Sequence, residues 1–188
     1  PHLPFSAPGI WYLARLELQS GGIIGATIPG MPLVLSGRSA DLGWGLASGY
    51  VDDQDVFIEE VNPRDASQYR TPDGWADFRT RESIITIKDA PSVTLQLQWT
   101  TNGPVLPPDQ YNLGQIRPPG HVTALGWTAL SSEDTTMQAA MNLMRATSVE
   151  SAMAAAEDYV APAQMLTLAD RNSVGMKLIG RIPNRSAD

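Results

Sequence analysis

The chain has 188 residues, 43% of them hydrophobic and 18% charged, a composition that specifies a globular protein with a sizeable core. Its 13 basic and 20 acidic residues leave a net charge of −7, and no Lys/Arg run tracks a phosphate backbone, which argues against a nucleic-acid partner. There is no cysteine, hence no disulfide and no thiolate-bound metal, and no apolar run approaches the ~20 residues that cross a bilayer, which argues against a membrane partner.

The opening Pro1-His2-Leu3-Pro4 has neither an initiator Met nor a basic leader and reads as the interior of a longer protein. Trp11–Leu18 is expected to be a strand buried on both sides, with Trp11, Leu13 and Arg15 on one face and Tyr12, Ala14 and Leu16 on the other. Gly21–Ile28 is a β-branched run closed by Pro29 and Pro32. Gly43–Ser48 reads as a glycine-rich turn leading through Asp52, Asp53 and Asp55 into an apolar strand. Ser83–Lys88 and Ser92–Trp99 form a hairpin about Asp89-Ala90-Pro91, with Val93, Leu95, Leu97 and Trp99 facing inward. The prolines from Pro104 to Pro119 mark a long loop, and His121–Leu130 returns as a strand.

Helical spacing begins in the last third. Ser132–Met144 places Met137, Ala140, Met141 and Met144 on one stripe, with Glu133 and Asp134 complementing the dipole. A second helix, over residues 148–160, follows a capping box read at Thr147 and Glu150, carries Val149, Ala152, Met153, Ala156 and Val160 on one face, and is stopped by Pro162. Gln164–Ala169 and Val174–Ile182 are strands about a turn at Asp170-Arg171-Asn172-Ser173. The pattern is an α+β layered fold in a single domain spanning residues 1–188.

No nucleophile triad, Walker loop or dinucleotide fingerprint is present. His2 and His121 have no partner at ligand spacing, and the scattered tryptophans fit core positions. The acidic cluster stands out, because three carboxylates within four residues repel unless solvent screens them or a cation holds them. Their spacing is not that of an EF-hand, and both readings stay open on spacing alone.

Several segments, in order, resemble the penicillin acylase (penicillin amidase) family of N-terminal-nucleophile hydrolases. They are Pro1-His2-Leu3, Pro29-Gly30-Met31-Pro32, Gly37-Arg38-Ser39, Gly43-Trp44-Gly45 with Asp52-Asp53-Gln54-Asp55, Thr101-Asn102-Gly103-Pro104-Val105, and Ala169-Asp170 through Pro183-Asn184-Arg185. The resemblance implies part of a four-layer αββα sandwich. It also implies an amide hydrolase whose nucleophile is the first serine of a processed β chain, with that residue's own α-amine as base. That serine is expected to precede these residues. Ser6 is internal and no substitute, so residues 1–188 alone are expected to be inactive.

The resemblance further implies that the Ser48 backbone N–H binds the oxyanion, and that Pro1, Leu3 and Ser36 line the acyl pocket. Ser36 is small where benzyl-specific members carry a large aromatic, which implies a longer pocket for an aliphatic chain. Asp52, Asp55 and the carbonyls of Gln54 and Pro183 match ligands of a structural Ca²⁺, with Asp53 left to solvent. The implied partners are a small acyl-amide substrate, of penicillin or N-acyl-homoserine lactone type, and the α chain and remaining β chain of the same precursor, in the periplasm or secreted. Ser39, Asn102 and Met165 depart from the usual Asn, His and Asn. The alternative is a catalytically dead, Ca²⁺-stabilised binding or structural module of the same fold.

Overall fold

The computed structural model describes residues 6–19, 21–109 and 111–185. In chain order the strands are β1 (Tyr12–Leu18), β2 (Gly21–Thr27), β3 (Ser36–Arg38), β4 (Gly43–Ser48), β5 (Gln54–Glu60), β6 (Gln68–Thr71), β7 (Gly74–Asp77), β8 (Arg79–Ile85), β9 (Val93–Thr100), β10 (Gly103–Leu106) and β11 (His121–Trp127). Helices α1 (Thr136–Leu143) and α2 (Val149–Ala155) follow, then β12 (Gln164–Ala169) and β13 (Val174–Ile179). The chain divides into two compact units, Pro1–Asp53 with Ser131–Asp188, and Gln54–Leu130.

The first unit is a six-stranded antiparallel sheet in the order β1-β2-β3-β4-β12-β13 with both helices on one face. Strand alternation decides that face. Leu166 and Leu168 of β12, Trp44 of β4, Ile23 of β2 and Ile179 of β13 are all buried beneath Ala139, Leu143, Val149, Ala152 and Ala156 of the helical segment. The helix seats closely on β13, because a Cβ at Gly175 would lie 2.5 Å from the Met153 methyl and 2.7 Å from Val149 Cγ1. The opposite face stays open and carries Leu13, Val174, Met176 and Leu178, all exposed.

Side chains close the helix ends. Ser148 caps α2, accepting from the Ser151 N–H, while Ser151 Oγ accepts in return from the Ser148 N–H, each at 3.1 Å. The box is therefore one residue later than Thr147 and Glu150, because serine at the third helical position serves where glutamate was expected. Both helices are shorter than expected. Asp134 accepts from the Thr136 N–H and keeps residues 132–134 outside α1, and a 3₁₀ turn, Ala156–Asp158, ends α2 well before Pro162. Thr136 Oγ1 accepts from the N–H groups of Val160 and Ala161, tying the start of α1 to the segment entering β12.

Asp170 joins the β12–β13 turn to α2. Its carboxylate accepts from the N–H groups of Val149, Asn172 and Ser173 at 2.8 Å each, and from Ser173 Oγ. These bonds, that from the Val149 amide foremost, hold its pKa below the ordinary carboxylate value against the opposing effect of burial.

The second unit is a five-stranded antiparallel sheet, β5-β11-β10-β9-β8, with a two-stranded β6-β7 ribbon. Tyr69 packs on Phe78 with ring centroids 4.9 Å apart, and its hydroxyl accepts from the Thr101 N–H at 2.9 Å. Asn102, in the β9–β10 turn, donates its amide to the buried Glu59 carboxylate at 2.9 Å. The adjoining Gly103 needs its φ of 141° and has no room for a side chain, a Cβ there meeting Leu125 O at 1.9 Å.

Several expectations change. Gly43–Ser48 is not a turn but a strand in the interior of the first sheet. The proline-rich segment contains β10, whose Pro104 forgoes only one donor in a four-residue strand. β1 is not buried on both sides: as the sheet's edge it leaves Tyr12 62% and Leu13 81% exposed. The β8–β9 hairpin forms, yet Val93 and Leu95 remain exposed, and Trp99 lies beneath Arg79, whose guanidinium carbon is 4.9 Å from the ring centroid.

Replacing Leu166, fully buried in β12, by Ala is expected to cost about 2–5 kcal/mol in urea unfolding, while Met176→Ala, 66% exposed on the open face, stays within about 0.5 kcal/mol. Asp170 gives a pH test. Because its folded pKa is depressed, its contribution is present above the unfolded carboxylate value of about 4 and is lost as pH falls through the folded value. Asp170→Asn should therefore lower the melting temperature at pH 7, and the gap to the wild type should close in acid.

Candidate functional site

The candidate oxyanion donor, Ser48, is the last residue of β4. Gly43↔Ala169 through Ser48↔Gln164 sets the β4–β12 register, and the next pair along is joined by the Gly49 N–H donating to Ala163 O at 3.0 Å. Along an antiparallel strand the amides point alternately to the two neighbours. Gly49 points to β12, so the Ser48 N–H is directed the other way, toward the β3 side. Leu46 establishes the same sense independently, since its N–H donates to Ser36 Oγ of β3 at 3.3 Å. β3 itself ends at Ser36, three residues short of the position opposite Ser48. The Ser48 amide is thus aimed beyond the end of β3 from a half-buried strand terminus.

A directed main-chain N–H at the end of a rigid strand is the element that binds a developing oxyanion, because it needs no reorganisation as charge appears. The open face beside it is lined by small side chains. A shallow depression of about 200 Å³ runs over Gly43, Gly45, Thr167 and Ala169. A separate apolar cavity of about 110 Å³, between the sheet and α1, is lined by Met31, Leu35, Leu46, Met137 and Tyr159 among others, and not by Ser36 or Ser48. Burial, aided by the nearby Asp134 charge, raises the pKa of Tyr159 there.

Ser36 is half-buried at the start of β3, its hydroxyl engaged with the Leu46 amide. Pro1 and Leu3 lie outside the described residues. Asn102 is committed to Glu59 in the second unit. Ser39 closes its own turn, its Oγ accepting from the N–H groups of Asp41 and Leu42.

The acidic cluster falls at the boundary of the two units. Asp52 belongs to the first, with its side chain 80% exposed, while Gln54 and Asp55 open β5 in the second. Asp52 presents two oxygens to one cation, its carbonyl accepting from Arg185 Nη1 at 3.0 Å and its carboxylate lying 3.5 Å from Arg185 Nη2. Sequence reading missed Arg185 as a partner, because 133 residues separate the two and no local pattern links them. Pro183 is half-buried two residues before Arg185. Among the described residues no three His, Asp or Glu side chains gather as a metal cluster. The donors at hand are all oxygens, the type Ca²⁺ takes, but they are fewer than its 6–8 ligands.

Residues 1–188 match the family described as Penicillin amidase, and the chain belongs to that family. It is similar to the acyl-homoserine lactone acylase QuiP of Pseudomonas aeruginosa, 28% identical over 189 residues covering 98% of this chain and 22% of that protein. The penicillin G acylase of Escherichia coli is 27% identical over 110 residues, 58% of this chain and 13% of that protein. Among solved structures, the thermostable penicillin G acylase of Alcaligenes faecalis superposes with a TM-score of 0.81 at 23% identity, over 96% of this chain and 31% of that one, and shares the fold. The chain spans about a fifth of the length of the curated acyl-homoserine lactone acylases it matches.

The Leu46–Ser36 bond gives the site a spectroscopic test. The Leu46 amide is expected to exchange with solvent slowly in the wild type and at least about tenfold faster in Ser36→Ala, read by hydrogen exchange, while the Gly49 amide, bonded to Ala163, stays protected in both.

Proposed function

We propose that this chain is the part of an acyl-amide hydrolase that supplies the main-chain oxyanion donor, and that the N-terminal serine attacking the amide lies outside these 188 residues. The direction of the Ser48 N–H carries the reading. As the serine hydroxyl adds to the carbonyl, the carbonyl oxygen becomes an anion and accepts from that N–H. The serine's α-amine takes the hydroxyl proton and returns it to the leaving amine, and water then releases the acid. The relatives named above support a substrate of penicillin or N-acyl-homoserine lactone type, and their coverage favours the lactones.

The remaining α and β segments of the same precursor are the proposed partners. The open sheet face with Leu13, Val174 and Met176 exposed supports this, since large apolar patches on soluble proteins mark covered surfaces. A periplasmic or secreted location goes with this reading. A structural Ca²⁺ at Asp52, Asp55 and the Gln54 and Pro183 carbonyls is part of it too, supported by the two Asp52 oxygens that already converge on a cation. Arg185 is that cation at present, and an exposed pair of this kind contributes only about 0–1 kcal/mol, so a divalent ion can displace it.

In the full-length protein Ser48→Pro, which deletes the donor, should lower kcat by about 10²–10³-fold, whereas Ser48→Ala, which keeps the N–H, should retain most activity. Loss of comparable size in Ser48→Ala would place the chemistry on the side chain and sink the reading. A catalytically dead relative would show no turnover even in the wild type. For the metal, calcium at ~100 times its dissociation constant should stabilise the wild type by about 2.7 kcal/mol and leave Asp52→Ala unaffected. Equal shifts in both proteins would exclude Asp52 as a ligand.

A further inference from the structure

We propose that β1 is a self-association edge, pairing antiparallel with β1 of a second copy of this chain so that Arg15 of each copy lies opposite Glu17 of the other. The inference goes beyond the hydrolase reading and rests neither on Ser48 nor on the identity of the substrate.

Strand β1 ends the six-stranded sheet, and the pairing of its inner neighbour fixes which of its backbone groups face outward. Ala26 O of β2 accepts from the Leu35 N–H at 2.9 Å, so Ala26 faces β3 and not β1. Leu13 is the residue opposite Ala26, and backbone groups alternate in direction along a strand. Leu13, Arg15 and Glu17 therefore turn their N–H and C=O groups away from β2, toward the outer edge. The pairing with β2 runs from Tyr12↔Thr27 to Leu18↔Gly21 without a bulge. Natural edge strands are commonly blunted by proline, lysine or a bulge, and Tyr12–Leu18 has none of these. Leu13, Leu16 and Leu18 are exposed along it. The other edge of the sheet, β13, carries Gly175 and Lys177 instead.

Charge selects one register about a two-fold axis. An axis centred on Arg15 or on Glu17 sets that residue against its own copy, and like charges directly opposite are destabilising. An axis on Ala14 sets Arg15 against Leu13. An axis on Leu16 sets Arg15 against Glu17 twice, with each such pair exchanging both of its outward backbone hydrogen bonds. On the other face of the strand it sets Leu16 against Leu16 and Ala14 against Leu18. Arg15 and Glu17 already pair within one copy, both with exposed side chains. The second copy extends that pair into an alternating network of four charges, and a network counts for more than an isolated surface pair. A strand of unrelated sequence would have to supply a carboxylate and a guanidinium at matching spacing, whereas β1 supplies both itself.

The test uses the full-length protein in sedimentation over a concentration series, with hydrogen exchange read at the Leu13, Arg15 and Glu17 amides. The wild type should dimerise, and these amides should exchange at least about tenfold more slowly in the dimer than at high dilution. Arg15→Glu and Glu17→Arg should each weaken dimerisation at least about tenfold. Both side chains are exposed, so neither variant is expected to unfold. An equimolar mixture of the two variants should form a mixed dimer about as tight as the wild type, because acids then face bases across the axis. That mixture separates contact between copies from the pair within one copy, which both variants lose. A wild type that stays monomeric at every concentration would overturn the inference, and slow exchange of the same amides in that monomer would identify a strand of the same protein as the occupant. A dimer that neither variant weakens would overturn it as well, placing the interface elsewhere. So would variants that stay apart when mixed.

Discussion

The β4–β12 ladder is the constraint on which the first unit depends. It joins segments 122 residues apart at the Thr167–Gly45 contact, where the Thr167 hydroxyl donates to the Gly45 carbonyl at 3.1 Å. Closing so long a loop costs entropy that grows only slowly with length, and the ladder recovers it by placing Leu166, Leu168 and Trp44 under the helices. The side-chain period of a strand is two. The same register therefore decides which face meets α1 and α2, which face stays open, and which way each amide points. A slip by one residue would turn Ser48 toward β12 and bring Gly45 and Ala47 under the helices in place of Trp44 and Leu46.

Where the main chain runs out of partners, short polar side chains replace it. Ser36 closes the β4 edge, Ser148 and Ser151 close the start of α2, Thr136 holds Val160 and Ala161, and Asp170 gathers the β12–β13 turn. Each accepts from an amide that secondary structure would leave orphaned, and an orphaned buried donor costs about 1–3 kcal/mol. Asp52 and Arg185 differ in kind. They are an exposed pair whose attraction solvent screens, and so they are the polar contact most easily exchanged for another cation.

Much of the frame is legible in the sequence. β12 follows from the alternation of Leu166 and Leu168, and its bounds match the expectation residue for residue. The buried Val149 and Ala152 follow from helical spacing, whereas Val160 is buried beyond the end of the helical segment. The cap of α2 shifts by one residue because Thr147, Ser148 and Ser151 all have the required hydroxyl, and only geometry selects among them. The burial of β1 is misjudged because apolar residues on both sides of a strand state what the strand can bury, not whether anything lies over it. The Asp52–Arg185 pair and the Leu46–Ser36 bond escape for a common reason. Their partners are distant in sequence or are backbone atoms, and neither leaves a mark in a residue pattern.

β4 is hard to read from the sequence and is the strand on which the proposed function turns, and both have one cause. A strand is recognised by its side chains, and the open face of β4 has almost none: Gly43, Gly45 and Ala47 alternate there, while Trp44 and Leu46 anchor the other face. Glycine at those positions reads locally as a turn. Within the sheet the same absence of side chains leaves the strand's surface accessible in a depression that bulkier residues would fill. A site that recognises its substrate through a main-chain N–H requires backbone that can be approached and strand pairing that keeps it rigid. The ladder to β12 provides the rigidity and the glycines provide the approach, so the features that hide β4 from pattern reading are those on which its proposed oxyanion role rests.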